Sequence, residues 1–503
     1  MQNTSPTLST LERTATPAFW GIVQWTILGM LILRFSVHYN SPYLDECDYI
    51  FVGRVLLSGE SWTTKTYMFS SDMHLYVYGI IDRIFSHEHS YIAARVFAGF
   101  LGLASLSLYY VFVLSLYRQH HDSRRIAELS TLLFALTTPH TFISQFATYD
   151  IFCCFFFAAA CAALSLAIFS TQYNPLPIRP MWLIVAGSVL FACAILAKYI
   201  ALVYLPFFAF ILVILHRRAA LVFFLTAGAI LGMYIALHHA ELLELYKRQM
   251  LGTHKSNATT LHILSITSQY IGYTVLVALS LVLYRRRVIL SLPHYGTLMV
   301  LSLPLLVYHT QSGDTISLYK HVVYTCFFLA PIAGEALYHL LCVASERNTD
   351  RLRAVAGITV VVGFCLLWWQ LRDIHHAYPN TDAITRLVRS TMTSETTILS
   401  EDAYLFRYAC FPTIPTKNLE EMTWFDNNRD GKYEAQDVID AVWEGKFEYV
   451  YLNGLILREL GDELEHGILQ RRYDLVLRVP YTNSRVMNPI NTGSLRLYRR
   501  RPS

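Results

Sequence analysis

This chain carries little charge. Asp, Glu, Lys and Arg make up 15% of its 503 residues, against roughly 25% in a soluble domain. Apolar residues make up 54%, so the composition reads as a polytopic membrane protein with some soluble part. The net charge of +4 is small and spread along the chain, which leaves no basic face for nucleic acid. Cysteine builds no framework either. Seven of the nine cysteines (Cys153, Cys154, Cys161, Cys193, Cys326, Cys342 and Cys365) lie inside apolar runs, where they act as small hydrophobes. Only Cys47 and Cys410 lie in polar segments, and no Cys-x-x-Cys spacing occurs, so neither a disulfide scaffold nor a zinc site is supported. No phosphate-cradling glycine-rich loop is visible. The N-terminus lacks the charged start and cleavage site of a secretory signal, so the first apolar run is expected to remain a membrane helix.

What is present is a series of apolar stretches near the length, about 20 residues, that crosses a bilayer. Eleven are expected, near 18–37, 92–117, 126–147, 150–170, 182–197, 200–216, 219–238, 261–284, 294–309, 321–343 and 354–371. The fifth and sixth are separated only by Lys198 and Tyr199. Lys and Arg concentrate in alternate short loops: Arg118, Arg124 and Arg125; Arg179; Arg217 and Arg218; Arg285 to Arg287; Arg347 and Arg351. These loops are expected on the cytoplasmic side. The N-terminus then faces the cytoplasm, while the loop 38–91 and everything after residue 371 lie outside, across the plasma (inner) membrane.

The loop 38–91 is longer than a connector needs to be and is rich in aromatics among charges. An interfacial helix is expected over 48–57, with a second over 73–85. Charged content rises in the tail, residues 372–503. Strand-like runs at 397–400, 449–453, 473–479 and 495–498 alternate with helical patterns at 381–392, 434–444 and 455–467. The expected architecture is a mainly α polytopic membrane helix bundle, residues 1–371, followed by a small α/β extracytoplasmic domain, residues 372–503. Its last two strands have no helix between them and are expected to be antiparallel.

Under this topology several ionisable residues gather at the outer ends of the spans: Asp45, Glu46, Asp72, His74, Arg95, Asp150, Lys198, His309, Lys320 and His321. Asp45 and Glu46 sit in Tyr-Leu-Asp-Glu-Cys-Asp-Tyr, residues 43–49, just after the first apolar run. They could cap a helix after Pro42, or they could be functional carboxylates at a lipid boundary. Asp150 precedes Ile-Phe-Cys-Cys-Phe-Phe-Phe, where it either caps a span or faces a wet cavity. Lys198 and Arg95 could snorkel from span ends, and the histidines could make ordinary polar contacts. Together these residues describe a cleft at the outer surface. Its acids could hold a divalent metal ion or take a proton from a hydroxyl, and its cations could neutralise a phosphate.

The ordered set of short motifs resembles the GT-C glycosyltransferases, in the branch of the protein O-mannosyltransferases and lipid A aminoarabinose transferases. It consists of Asp45-Glu46 with Tyr49 and Gly53 to Gly59, His74-Leu75-Tyr76-Val77-Tyr78-Gly79, Ala94-Arg95 with Gly99 and Gly102, Thr148-Tyr149-Asp150, and Ala197-Lys198-Tyr199. The chain departs from the family at Asp72-Met73-His74-Leu75, where members often carry Pro-Pro-Leu. The resemblance implies a polyprenyl-phosphate sugar donor and an extracytoplasmic acceptor that is protein, lipid or polysaccharide. The lipid tail would lie among the spans. Asp45 would be the general base in an inverting transfer. Glu46 and Asp150 would position substrate or help bind a divalent cation. Lys198, Lys320 and Arg95 would hold the phosphate, with Tyr49, Asp72, His74 and His309 as further substrate contacts. A transporter or flippase is the rival reading of a many-span chain with charges near the membrane, but no repeated half-architecture is evident.

One motif in the tail stands apart. Residues 426–437 resemble an EF-hand loop, with Asp426, Asn428 and Asp430 at the first three ligand positions, Gly431 at the turn and Asp437 last. The last ligand is Asp instead of Glu, and a polar turn leading into a helix is the alternative. A calcium ion there would be structural.

Overall fold

The computed structural model describes residues 44–59, 69–85, 89–169, 180–246, 259–283, 292–313, 315, 317–346, 350–375, 379–410, 413–428, 434–454, 457–482 and 492–502. The expected first span, 18–37, lies outside them. From the N-terminal side the helices are α1 (Leu44–Ser58), α2 (Met73–Ile84), α3 (Ser90–Leu116), α4 (Ser123–Ala135), α5 (Thr138–Gln145), α6 (Tyr149–Phe169) and α7 (Pro180–Ala197). A 3₁₀ turn (Tyr199–Tyr204) leads to α8 (Leu205–Leu215), α9 (Arg217–Leu245), α10 (Thr260–Leu283), α11 (Leu292–Ser302), α12 (Pro304–Ser312), α13 (Leu318–Glu346) and α14 (Asp350–His375). Among the described residues six helices are long and apolar enough to cross a membrane: α3, α6, α7, α9, α10 and α13.

Two expected spans are each divided in two. The stretch 126–147 becomes α4 and α5, with a break at Leu136 and Thr137 just ahead of Pro139. The stretch 294–309 becomes α11 and α12, with Pro304 opening the second. Proline lacks the N–H that would continue the helical ladder, so it starts a helix more easily than it continues one. The stretch around 200–216 starts as the 3₁₀ turn because Lys198 is extended (φ −156°, ψ 119°).

The bundle is held by interlocking aromatic rings. Phe157 on α6 meets Tyr204, Tyr324, Phe327 and Phe328 at centroid distances of 5.0–5.9 Å. Such pairs contribute about 0.5–1.5 kcal/mol each beyond the area they bury. Both α6 and α13 are enclosed, with α6 between α3 and α7 and α13 between α4 and α10.

The loop after the first expected span forms the two helices read from its pattern, but α1 is covered on all sides. Every residue from Glu46 to Val55 is buried. α2 crosses α1 at a pair of glycines: a Cβ on Gly53 would stand 2.2 Å from the Leu75 carbonyl oxygen, and one on Gly79 2.4 Å from the Gly53 carbonyl oxygen. Only glycine lets the two backbones approach this closely. A bidentate ion pair locks the crossing, with Arg54 Nε and Nη2 donating to Asp82 Oδ2 and Oδ1 at 2.6 and 2.9 Å.

The tail folds as the expected α/β unit. Its helices are α15 (Asp382–Thr391), α16 (Ala403–Cys410), α17 (Ala435–Glu444) and α18 (Arg458–Leu464). Its strands are β1 (Ile398–Ser400), β2 (Leu419–Glu421), β3 (Tyr449–Leu452), β4 (Tyr473–Thr482) and β5 (Thr492–Arg500), in the order β2-β1-β3-β5-β4. β1 runs parallel to β2 and β3, while β4 and β5 are antiparallel, as the helix-free connection implied. β2 and α16 were not foreseen. Glu401, just past β1, accepts hydrogen bonds from the backbone N–H groups of Asn453, Gly454 and Leu457, and so ties β1 to the turn after β3. α16 packs directly on α1, and Ser90 Oγ lies 3.1 Å from the Tyr408 hydroxyl, so the tail is seated on the helix that carries the acidic pair.

That seat contains a titrating group. Asp402 accepts from the Leu405 N–H at 3.2 Å and caps α16; burial pushes its carboxyl from 3.8 up to about 7. An acid whose pKa rises on folding stabilises the fold fully below its unfolded value and loses that contribution as pH climbs through the folded one. Stability of the full chain should therefore fall between about pH 4 and 7 with a slope of up to about 1.4 kcal/mol per pH unit from this group. Denaturant unfolding across that range should show the slope in wild type. Asp402→Asn, which keeps the cap, should flatten it; equal slopes in the two proteins would remove Asp402 as its source.

Candidate active site

The residues singled out in sequence are presented from helix ends. Asp45 lies in the first turn of α1 and Asp150 in the first turn of α6. Lys198 follows α7 directly, Lys320 is the third residue of α13, and His309 lies in the last turn of α12. These ends converge. Lys320 Nζ donates to Asp45 Oδ2 at 2.8 Å and lies 3.5 Å from Asp150 Oδ2. Lys198 Nζ donates to Asp150 Oδ1. Asp45, Lys320, Asp150 and Lys198 thus form a chain of alternating charge drawn from four separate segments. Of the four, Asp45 is the most open, with 28% of its side chain exposed. Asp150, Lys198 and Lys320 are buried.

Aromatic rings wall this chain. Lys198 Nζ lies 4.7 Å from the centre of the Tyr149 ring, a cation–π contact. Tyr149 packs on Tyr49 at 5.1 Å, and His74 meets Tyr49 and Tyr149 edge-on at 4.8 and 5.3 Å. Burial lowers the His74 imidazole to about 3, so this ring is neutral across the physiological range. His309 Nε2 lies 2.8 Å from Nδ1 of His321, the residue next to Lys320. Asp72 precedes α2 and lines a separate cavity behind its first turn.

Glu46 and Arg95 meet each other away from that chain. Arg95 Nε and Nη2 donate to Glu46 Oε1 and Oε2 at 2.8 and 2.6 Å, and the Ala147 N–H adds a third bond to Glu46 at 2.8 Å. Neither side chain has any exposed surface. The pair joins α1, α3 and the segment that leads to Asp150. Adjacent in sequence, Asp45 and Glu46 point to different partners because successive helix positions lie about 100° apart on the helix circumference.

The carboxylates are a poor fit for a divalent cation. Such an ion gathers several oxygen ligands, whereas here two ammonium groups already face Asp45 and Asp150, and Arg95 takes Glu46. In the tail loop, Asp426 and Asn428 precede the gap in the described residues, Asp430 lies outside them, and Asp437 sits in the first turn of α17. Among the described residues, the ligand atoms close enough to share an ion belong to His120, His121 and Asp122, between α3 and α4. Sequence reading missed this group, the Arg54–Asp82 lock and the ring of Tyr149. The lock needed the tertiary fold, but His120, His121 and Asp122 are consecutive in the sequence, and Tyr149 stood beside a residue already singled out.

The whole-chain fold matches several solved structures. ArnT from Cupriavidus metallidurans bound to undecaprenyl phosphate superposes with a TM-score of 0.59 at 14% identity, over 96% of this chain and 98% of that one. The chain therefore shares the fold of that protein. The Archaeoglobus fulgidus oligosaccharyltransferase tethered to an acceptor peptide with an NVT sequon matches with a TM-score of 0.55 at 14% identity, over 95% of this chain and 76% of that one. The same archaeal protein in complex with Zn and sulfate matches at 0.52 and 13% identity, over 84% and 67%. Residues 51–295 match the family model for dolichyl-phosphate-mannose-protein mannosyltransferase. The match runs from the middle of α1 to the start of α11, and therefore takes in Asp72, His74, Arg95, Asp150 and Lys198; Asp45 and Glu46 stand just ahead of it. No curated protein matches the chain.

Proposed function

We propose that this chain is a membrane glycosyltransferase that moves a sugar from a polyprenyl-phosphate-linked donor to a hydroxyl of an extracytoplasmic acceptor. The observation that carries the reading is the Asp45–Lys320–Asp150–Lys198 chain, with its one more open carboxylate and two buried ammonium groups. It supports an in-line displacement. Asp45 takes the proton of the acceptor hydroxyl, the hydroxyl oxygen bonds to the anomeric carbon with inversion, and the bond from that carbon to the phosphate oxygen breaks. The electron pair leaves with polyprenyl phosphate, whose charge Lys198 and Lys320 neutralise. The leaving group is a stable phosphate, so orientation and charge neutralisation supply most of the rate. Asp150 holds both lysines, and the Glu46–Arg95 pair fixes the helix that presents Asp45. The Lys and Arg asymmetry of the loops supports a site on the outer face of the plasma membrane.

The test is donor turnover by purified full-length protein in detergent, with a panel of sugar-loaded polyprenyl phosphates and a membrane extract as acceptor. Free polyprenyl phosphate should appear with one donor and not the others, and a chelator should leave the rate unchanged, because lysines hold the place of a metal. Loss of turnover on chelation would overturn the lysine assignment. No release from any donor would overturn the transferase reading in favour of a lipid or sugar transporter.

A further inference from the structure

A cavity of about 370 Å³ lies behind the first turn of α2, lined by Asp72, Tyr76, Tyr199, Tyr234, His238 and Glu241 with apolar neighbours. It falls at the lower end of small-molecule sites, roughly 300–1,000 Å³. Its wall is pinned to the charge chain. The Ser71 N–H donates to the Leu196 carbonyl at 2.7 Å and the Tyr199 N–H to the Phe69 carbonyl at 2.8 Å, on either side of Lys198. The opposite wall is shaped by a kink. α9 has non-helical dihedrals at His238 (φ −116°, ψ 19°), with no proline or glycine nearby to cause it. Residues held in such sparsely populated backbone conformations cluster at binding sites. There His238 stacks on Tyr234 at 4.5 Å and meets Glu241 at 3.2 Å, while the Tyr234 and Tyr199 hydroxyls lie 2.8 Å apart.

The chemistry of this lining is selective. Two carboxylates and no lysine or arginine among the described lining residues repel an anion. Carboxylates and tyrosine hydroxyls bond sugar hydroxyls, and flat rings cover the C–H face of a pyranose. We infer that the cavity is a carbohydrate subsite that takes an uncharged, hydroxyl-rich sugar ring carried by one of the two substrates, one backbone turn from the reacting centre. The inference rests on the glycosyltransferase reading above, and its test has a readout that does not need turnover.

Saturation-transfer NMR on the full-length protein in detergent would use methyl α-mannopyranoside, methyl β-glucopyranoside and methyl β-glucuronide as probes. At least one neutral glycoside should receive saturation from wild type and equally from Asp45→Asn, and the glucuronide should receive none. Removing one stacking ring with Tyr234→Ala should weaken the signal roughly 3- to 10-fold. Tyr234→Phe and Glu241→Gln, which keep the packing, should weaken it less. Where turnover is found, these variants raise KM for the donor alone if the ring belongs to the donor, and for the acceptor alone if it belongs to the acceptor. No signal from either neutral glycoside, equal signal from the glucuronide, undiminished signal in Tyr234→Ala, or unchanged KM for both substrates would overturn the subsite. Failure of turnover with intact sugar binding would strike the catalytic reading alone.

Discussion

Replacing Asp45 by Asn should lower kcat by about 10²- to 10⁴-fold, the range a positioned general base contributes, and leave KM for the lipid donor nearly unchanged. The amide has the shape of the carboxylate and can still accept from Lys320, so helix α1 stays where it is. What it cannot do is take the proton of the acceptor hydroxyl. Thermal unfolding of the variant should match wild type, because Asp45 is the most exposed of the four linked charges. A kcat within about tenfold of wild type would remove Asp45 as the base and return it to the role of a helix-end acid that complements the dipole.

The Glu46–Arg95 pair should respond in the opposite way, through stability first. Arg95→Met removes the bidentate partner of a carboxylate with no exposed surface, which costs about 3–5 kcal/mol. Adding Glu46→Leu to it should restore most of the loss, since a buried ion pair replaced by apolar groups is often neutral. Recovery should be incomplete by about 1–3 kcal/mol, because the Ala147 N–H loses its acceptor. Denaturant unfolding of the two variants measures both figures. If Arg95→Met unfolds like wild type but loses donor binding, Arg95 is a phosphate ligand and the positioning role is wrong.

These two expectations separate neighbours that sequence alone treated as one acidic pair. Composition, apolar run lengths and the spacing of Lys and Arg were enough to read a membrane bundle with an α/β tail, because bilayer thickness and strand alternation impose periods that survive in one dimension. The strands at 398–400, 449–452, 473–482 and 492–500 follow that rule. Short β2, only Leu419–Glu421, carries too little pattern to be seen. The two broken spans were marked by prolines at 139 and 304, yet apolar content outweighed that signal.

The clustered charges were legible for a similar reason: a Lys, Asp or His bordering a long apolar run is costly and therefore conspicuous. The sequence by itself determined that Asp45, Asp150, Lys198 and Lys320 would share one end of the bundle, since each stands at the end of a span. Only the tertiary structure decided their pairing, because partners 275 and 48 positions apart are chosen by where helix ends meet. It also decided that Glu46 turns inward to Arg95, that Gly53 and Gly79 let α1 and α2 touch, and that the tail rests on α1. Those outcomes depend on helix rotation and crossing, which no single segment encodes.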